Sequence, residues 1–248
     1  MIAQEYDKLY PIEEYYWWFT VFRRIYRYLM DRALQRNRIR SPFVLLDLGC
    51  GTGRNMLEFA DLTPWIIGVD HSLDALRHAQ TRGLTHLVQA DANHLPFKPD
   101  ALDAVFSADL LVYIDNMGSF LTQLNRCIKP NGFFLFTAAA FQWLYSRHDR
   151  AVGSIRRFTR PELIQQLTDA GFSIHFMTYC NTILFFPIAI IRLLTKKNRV
   201  INSDYSLLPK PLNLILTFIF RIELNLIKTG IKLPFGISIL GWVTPQSV

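Results

Sequence analysis

Cysteines are scarce in this 248-residue sequence, and no long uninterrupted apolar run is present. The three cysteines are scattered and form no C-x-x-C pair, which argues against a disulfide framework or a structural zinc site and favours a reducing compartment. The amino-terminal stretch MIAQEYDKLYPIEEYYWW is acidic and aromatic and lacks the apolar core of a signal peptide. We therefore expect a cytoplasmic protein, and we predict no metal site, since the histidines show no metal-ligand spacing.

The net charge of +7 is unevenly placed, with an acidic centre over 46–146 and a basic excess at both ends. Residues 181–248 hold eight lysines and arginines against two acidic residues, and these cations are spread through strongly apolar sequence. Nucleic acid is a poor explanation, because its binding surfaces cluster their cations and interleave them with aromatics. A membrane surface or an anionic, lipid-like substrate explains the mixture better.

Apolar runs alternate with segments of helical spacing along 43–180. Runs that end at glycine or aspartate predict strands, whereas Ser72 and Gly83 are typical of a helix start and a helix end. This alternation predicts a parallel sheet with helices on both faces. We predict strands at 43–48, 65–69, 87–90, 101–108, 133–138, 172–179 and 237–243, helices at 12–36, 55–62, 72–82, 117–127 and 161–170, and a turn at 129–132.

A glycine-rich turn follows the first predicted strand, in the stretch LLDLGCGTGRN. In an open α/β sheet, ligands bind at the carboxyl ends of the strands, which is where this turn lies. The dinucleotide fingerprint G-x-G-x-x-G/A fails in both registers, because Arg54 or Met56 occupies its last position. A phosphate loop also fails, since no Gly-Lys-Ser/Thr follows. The turn therefore indicates a ligand other than a nicotinamide cofactor or a nucleoside triphosphate.

Acidic residues mark the ends of three predicted strands. Asp47 precedes the glycine turn, Asp70 ends the second strand, and Asp91 ends the third. Each acid alone is equally well explained as a helix cap or a turn former. Together they would repel phosphates but suit a ligand with hydroxyls, amines and positive charge. S-adenosylmethionine (SAM) is such a ligand, with a ribose diol, an adenine amine, an α-amino group and a sulfonium.

Four segments in order, LLDLGCGTGRN, GVDHS, QADANHLPF and CIKPNGFFLFT, resemble the class I SAM-dependent methyltransferases, in the small-molecule group called type 11. The resemblance covers roughly 43–140. It implies a Rossmann-like, doubly wound α/β fold whose seven-stranded sheet is mostly parallel with an antiparallel last strand. It also implies SAM as cofactor and S-adenosylhomocysteine as product.

The resemblance implies roles for individual residues. The glycines would turn the backbone against the methionine moiety, Asp47 would bind its ammonium, and Asp70 would take the ribose hydroxyls. Asp91 would accept from the adenine amine, and Asp109 in SADLLVYI would lie beside the sulfonium and the reaction. Many relatives continue that segment as D-x-L-E-H, so the role of their Glu–His pair is not carried over here. The implied cofactor-binding set is Trp18, Arg23, Asp47, Gly49, Gly51, Gly53, Asp70, His71, Asp91, Ala92 and Asp109.

The segment EEYYWWFTVFRR resembles the H-W-W-F-x-x-R-R start of a subset of these enzymes, with Tyr16 in place of the histidine and Phe22 in place of the first arginine. The aromatic face of Trp18 would favour the sulfonium, and Arg23 would pair with the methionine carboxylate. Tyr16 would contact the substrate. An ordinary amphipathic lid helix with solvated arginines is the alternative.

The segment WLYSRHDRAVGSIRRFTRPEL resembles the W-S-x-H-D and R-R-Y-T-R segments of the same subset. His148 with Asp149 beside it is a general-base candidate, because imidazole titrates near neutrality. Trp143, Arg156 and Arg157 are substrate-binding candidates, the arginines for an anionic group. The alternative is that these arginines pair only with helix ends and acids.

The tail also resembles that subset, through LPFGISIL. Two apolar helical segments, 183–194 and 212–227, would form an insertion before the last strand, and both are shorter than the roughly 20 apolar residues of a membrane span. They would bury each other, line a hydrophobic tunnel, form a homodimer face or contact a membrane peripherally. The predicted organisation is one domain, with a lid over 1–42, a core over 43–180, the insertion over 181–235 and the last strand within 236–248.

The sequence thus predicts transfer of the SAM methyl group to a small-molecule, lipid-linked or glycan-type acceptor, with an oxygen nucleophile favoured. A SAM-fold binding protein without turnover is the alternative. A nicotinamide oxidoreductase is disfavoured by the failed fingerprint. A nucleic-acid methyltransferase is disfavoured because SADLLVYI carries no Asn/Asp-Pro-Pro-Tyr signature.

Overall fold

The computed structural model describes residues 3–195 and 208–246. Within them a seven-stranded sheet has the order β3-β2-β1-β4-β5-β7-β6. The pairs formed by β1 to β5 are parallel, and β7 runs antiparallel to both β5 and β6. The predicted fold is therefore confirmed. The strands are β1 (Val44–Leu48), β2 (Trp65–Asp70), β3 (Leu87–Gln89), β4 (Leu102–Ala108), β5 (Ile128–Ala139), β6 (Phe172–Cys180) and β7 (Ser238–Pro245).

Helices cover both faces of the sheet. Leu45 of β1 packs on one face against α2, whereas Leu46 and Leu48 pack on the other face with residues of α5 and α7. This alternation follows from the two-residue period of a strand buried on both sides. The helices are α1 (Ala3–Ile12), α2 (Trp17–Arg36), α3 (Arg54–Glu58), α4 (Leu73–Thr81), α5 (Met117–Cys127), α6 (Arg147–Val152), α7 (Arg160–Asp169), α8 (Phe185–Thr195) and α9 (Lys210–Lys228).

The amino-terminal helix prediction, 12–36, is wrong at its start. The structure has two helices there, α1 and α2, joined by a short turn. The backbone N–H of Trp17 donates to the side-chain oxygen of Asn213 in α9 at 2.8 Å, and the Asn213 amide donates to the carbonyl of Tyr15 at 2.9 Å. The break is therefore held by a residue almost 200 positions away, which local sequence patterns do not reveal.

The predicted turn at 129–132 lies inside β5. Leu102 of β4 pairs with Ile128, but Ala104 pairs with Phe133, so residues 129–132 form a bulge opposite one residue. The bulge shifts the register while the strand continues. The ends of α4 were predicted more closely, and the Ser72 hydroxyl accepts from the backbone N–H of Ala75 at its start. The helix predicted over 55–62 is shorter, since α3 ends at Glu58.

The chain order of the sheet reverses between β1 and β4. A crevice forms at such a point, outside the carboxyl ends of the two strands, because their connections leave in opposite directions. The glycine turn after β1 and the residues after β4 meet there, with α1 and α2 above them.

Candidate functional site

A cavity of about 390 Å³ occupies this crevice. Such a volume suits a small-molecule ligand. The carboxyl ends of β1, β2, β3 and β4 line its floor, and α1 and α2 line its lid. Nine residues of the predicted cofactor set line it: Trp18, Arg23, Gly49, Gly51, Asp70, His71, Asp91, Ala92 and Asp109.

The glycine turn is shaped by backbone geometry that L-residues rarely adopt. Gly49, Gly51 and Gly53 have φ angles of +75°, +54° and +77°. The N–H of Gly49 donates to the Val69 carbonyl at 2.8 Å, which joins the turn to β2. A Cβ on Gly49 would lie 3.1 Å from the Leu110 side chain, so the bare backbone is needed for the close packing of the floor.

Asp70 supports the turn from the end of β2. One carboxylate oxygen accepts from the backbone N–H of Gly51 at 2.9 Å, and the other accepts from the N–H of Ser72 at 2.8 Å. The hydroxyl of Tyr6 in α1 also approaches this carboxylate, at 3.5 Å. Asp70 therefore holds floor and lid together while lining the cavity.

Two further carboxyl groups are poised for a ligand. Both carboxyl oxygens of Asp47 and the Oδ1 atom of Asp109 are shielded from solvent and have no hydrogen-bond partner among the described residues. Burial, with a smaller contribution from Asp70, raises the pKa of Asp47 to about 8. Burial raises the pKa of Asp109 to about 6, against a hydrogen bond with Thr137 that lowers it. Unsatisfied buried carboxyls are costly, so these atoms indicate a ligand with donors or positive charge.

Asp91 lies at the more open side of the cavity. Its carboxylate accepts from the backbone N–H of Asn93 at 2.9 Å, and this bond is the main reason that the pKa of Asp91 is lowered. The acid therefore stays ionised and can accept from an amine. His71 and Ala92 line the cavity beside it.

The lid brings aromatic faces and one arginine to the cavity. Trp18 lies with its ring 4.7 Å from Phe22, and both line the cavity. Arg23 lines it too, but its guanidinium donates to the carbonyls of Glu13 and Glu14 at 2.7 and 3.3 Å. Arg23 thus fixes the turn between α1 and α2, and its role toward a carboxylate stays a prediction.

Sequence reasoning missed the contribution of α1. Tyr6, Leu9 and Glu13 line the cavity from this helix and the turn after it. Their three- and four-residue spacing is a helical signal that was present in the sequence. Glu13 is buried, accepts from the Thr52 hydroxyl at 2.6 Å, and pairs with Arg82. These bonds tie the lid to the glycine turn.

The predicted general base His148 and its neighbour Asp149 do not line the cavity. Asp149 is buried, and its two oxygens accept from the Nε and Nη2 atoms of Arg157 at 2.8 and 3.1 Å. Arg157 is therefore neutralised inside the fold, and neither partner is available to a substrate or a base. Asp149 thus has structural contacts: a bidentate ion pair with Arg157, and a capping box with Ser146 at the start of α6.

The other substrate candidates also lie apart from the cavity. Arg156 donates to the Asp115 carbonyl at 2.8 Å. Trp143 packs on Phe141 and Phe185, with ring centroids 5.9 Å apart in each case. Tyr16, Asp47 and Gly53 do not line the cavity themselves, although Leu48 and Gly49, which follow Asp47, do.

Comparison with known proteins shows the family to which the chain belongs. The model of the family described as "Methyltransferase domain" matches residues 46–136. Demethylmenaquinone methyltransferase of Streptomyces avermitilis is 31% identical over 156 residues, which are 52% of this chain and 68% of that protein. The chain belongs to the class I SAM-dependent methyltransferases.

Other methyltransferases are similar to this chain over part of its length. Malonyl-[acyl-carrier protein] O-methyltransferase of Pseudescherichia vulneris is 29% identical over 153 residues, 59% of this chain and 61% of that protein. An S-adenosylmethionine-dependent methyltransferase of Mesorhizobium loti has the same fold, with a TM-score of 0.56 at 16% identity over 82% of this chain and 90% of that one. The chain spans 49%, 61% and 36% of three curated relatives that it matches.

SAM, the cofactor of this methyltransferase family, fits the site on structural grounds. The bare backbone of the glycine turn leaves room for close approach, and the Oδ1 atom of Asp109, which lines the cavity without a hydrogen-bond partner among the described residues, matches a ligand carrying positive charge. Asp70 and Asp91 add acceptors for hydroxyl and amine groups.

Proposed function

We propose that this protein transfers the methyl group of SAM to an oxygen atom of a small-molecule acceptor, either free or attached to a lipid, a glycan or a carrier. The observation that carries the proposal is the shielded Oδ1 atom of Asp109, which lines the cavity next to the glycine turn and has no hydrogen-bond partner among the described residues, in the crevice between β1 and β4. When bound, SAM supplies an activated methyl carbon and a departing sulfur.

The cofactor half of the cavity is the side of β1, β2 and β3. Here Asp70 would hold the ribose hydroxyls and Asp91 the adenine amine. Asp47 is buried just before the lining residues Leu48 and Gly49, and it would act on the ammonium through water. Asp47 is well suited to an ammonium, because pairing with a cation would stabilise its ionised form, which burial alone disfavours.

The acceptor half is the side of β4 and the lid. Asp109 and Tyr113 line it from the end of β4, and Trp18 and Phe19 line it from α2. An apolar or planar acceptor suits these aromatic walls. Asp109 has a pKa near 6, so its carboxylate is mostly ionised at neutral pH and can take the proton of an acceptor hydroxyl.

The relatives support an acceptor of this kind. One is named for a malonyl group on an acyl carrier protein, methylated on oxygen, and another for demethylmenaquinone. The first name describes an acceptor attached to a carrier protein, and the second describes a quinone. A planar acceptor, either free or attached to a carrier, suits the aromatic acceptor half.

The test measures SAM binding by calorimetry and then methyl transfer from radiolabelled SAM to carrier-linked acids, isoprenoid quinones and lipid-linked sugars. We expect binding by the wild type and product from one acceptor class. Asp109→Asn should lower kcat by about 10²–10⁴-fold and weaken SAM binding less than Asp70→Ala does. The matched control is Asp115→Asn, a change of an exposed carboxylate two residues after the helical turn Leu111–Tyr113 that follows β4.

Two results would contradict the proposal. SAM binding without release of S-adenosylhomocysteine for any acceptor class would favour the alternative, a SAM-fold binding protein. Transfer to nitrogen or carbon, identified by mass spectrometry of the product, would contradict the oxygen nucleophile and leave the methyltransferase activity in place.

A further inference from the structure

Helix α9 is apolar on two opposite faces. Its core face carries Phe220, Leu224 and Ile227, which are buried against the α2 side of the sheet. Its outer face carries Leu214 and Phe218, whose exposed fractions are 67% and 66%. A helix at a protein surface normally presents polar residues outward. The outer face of α9 is therefore an unpartnered apolar surface.

Basic residues follow one edge of this outer face. Lys210, Arg221 and Lys228 are spaced by 11 and 7 residues, so they lie within about 20° of one another around the helix. All three are exposed. A line of cations beside an apolar stripe is typical of a helix that lies in the plane of a membrane interface, where long cationic side chains reach the headgroups.

Helix α8 shows a second exposed apolar face. Phe186, Ile190 and Leu194 recur every four residues and are 63%, 57% and 79% exposed. On an adjacent side of the helix, Phe185 and Ala189 are buried in a small cluster with residues of the core. The inner side therefore anchors the helix, and the outer side repeats the apolar pattern of α9.

Both helices are fixed to the folded core. Glu223 of α9 is buried and accepts from the backbone N–H groups of Asn181, Thr182 and Ile183, immediately before α8. Asn213 of α9 binds the start of α2, as described above. The exposed faces are thus displayed by anchored helices, and a buried carboxylate links the one helix to the segment that leads into the other.

The α9 surface adjoins the lid of the cavity. The ring of Phe220 lies 5.3 Å from Phe22 and 6.4 Å from Trp18, and both of these line the cavity. In the described ranges, no helix is long and apolar enough to cross a membrane. We therefore interpret the exposed faces of α8 and α9 as a contact surface and not as membrane-spanning segments.

We propose that the outer faces of α8 and α9, with Lys210, Arg221 and Lys228, dock this protein onto an anionic lipid bilayer surface. The apolar side chains enter the boundary between headgroups and acyl chains, and the cations bind acidic headgroups. Docking places the lid near the lipid. Resting on the proposed function, we infer further that the acceptor is dissolved in or anchored to that bilayer.

The experiment sediments the full-length protein with vesicles of phosphatidylcholine alone or with one quarter phosphatidylglycerol. We expect binding to the anionic vesicles, at least tenfold weaker binding to the neutral ones, and weakening in 0.5 M salt, a concentration at which the screening length falls to roughly 3–5 Å. Phe218→Ser with Ile222→Ser should lower the affinity at least tenfold. Arg221→Gln with Lys228→Gln should lower it for anionic vesicles only.

Control variants change the same residue types elsewhere. Trp65→Ser and Ile164→Ser remove exposed apolar side chains from β2 and α7, and they should bind vesicles like the wild type. Circular dichroism and thermal unfolding check that the wild type and each variant are folded, independently of SAM binding. Because Phe218 and Ile222 face outward, their removal should leave SAM binding unchanged.

The docking proposal is overturned if folded wild type stays in the supernatant with both vesicle types, or if the Phe218/Ile222 double variant binds like the wild type. It is also overturned if light scattering shows a dimer that this double variant dissociates, because the surface then belongs to a second copy of the chain. Vesicle binding without SAM binding contradicts the proposed function alone, whereas SAM binding without vesicle binding contradicts docking alone.

Discussion

The carboxylate of Asp70 accepts a hydrogen bond from the backbone N–H of Gly51 at 2.9 Å, so the acid that ends β2 holds the glycine turn that ends β1. Gly51 and Asp70 are 19 residues apart in the sequence, and this hydrogen bond joins the turn after β1 to the end of β2. A cofactor hydroxyl that binds Asp70 therefore meets a carboxylate whose orientation is already set by the protein backbone.

Asp70→Ala should remove the carboxylate that accepts from the backbone N–H groups of Gly51 and Ser72 and that would bind the ribose hydroxyls of SAM. We expect SAM affinity to fall at least 100-fold and the free energy of unfolding to fall by about 1–3 kcal/mol, because two backbone donors lose their partner. Calorimetry and urea unfolding measure the two effects. Asp74→Ala, which removes an exposed carboxylate paired with Arg77 in α4, is the matched control and should change neither. Unchanged affinity in Asp70→Ala would show that the ligand does not use this acid.

Asp47→Asn should change the pH dependence of stability. The folded protein raises the pKa of Asp47 from 3.8 to about 8, so folding favours the protonated form. This contribution is fully present below pH 4 and is lost as pH rises toward 8. Ligand-free wild type should therefore lose stability relative to Asp47→Asn across that range, by on the order of 2–5 kcal/mol.

Urea unfolding at pH 5 and pH 8 checks this prediction. S-adenosylhomocysteine carries the same ammonium as SAM. At pH 8 it should therefore stabilise the wild type and reduce the difference in free energy of unfolding between the wild type and Asp47→Asn. Asp103→Asn is a control, because that carboxylate already binds Lys129 at 2.8 Å. The free energy of unfolding could instead differ between wild type and Asp47→Asn by the same amount at pH 5 and pH 8. That result would mean that Asp47 is ionised in the ligand-free protein.

Gly53→Ala and Gly83→Ala form a matched pair. Both glycines have positive φ angles, +77° and +82°, so alanine costs about 1–2 kcal/mol of backbone strain at either position. At Gly83 nothing lies within 4 Å of the added Cβ, whereas at Gly53 it meets the Leu84 side chain at 2.3 Å and the Ala79 Cβ at 3.0 Å. Gly53→Ala should therefore lose a further 1–3 kcal/mol or so. Thermal unfolding measures both, and equal losses would contradict the packing argument.

The Asp149–Arg157 ion pair should be structural. Asp149→Asn should lower the free energy of unfolding by about 3–5 kcal/mol, because it leaves the buried Arg157 without its carboxylate, and Arg157→Met should lower it less, because Asp149 keeps a second partner, Arg192, at 3.4 Å. The double variant should lose less than the sum. A double-mutant cycle by urea unfolding measures the coupling. If Asp149→Asn instead kept full stability and lost kcat, the pair would have a catalytic role after all.

Much of the site could be read from local sequence. The strand ends, the glycine turn and Asp70, Asp91 and Asp109 were predicted at positions that line the cavity. This works because a parallel strand, its carboxyl-terminal turn and the acid that follows lie within a few residues of one another. Residues 196–207, between the two apolar helices, lie outside the described residues.

The sequence by itself predicted the class of fold through apolar periodicity, and it predicted the cofactor through acids at strand ends and four motifs that resemble class I SAM-dependent methyltransferases. Only the tertiary structure decided that the lid has two helices, held by Asn213, that Asp149 binds Arg157 away from the cavity, and that Asp47 lacks a partner among the described residues. It alone showed which side of α9 faces outward. The physical reason is that burial and pairing depend on contacts between residues far apart in the chain, and local patterns carry no record of those contacts.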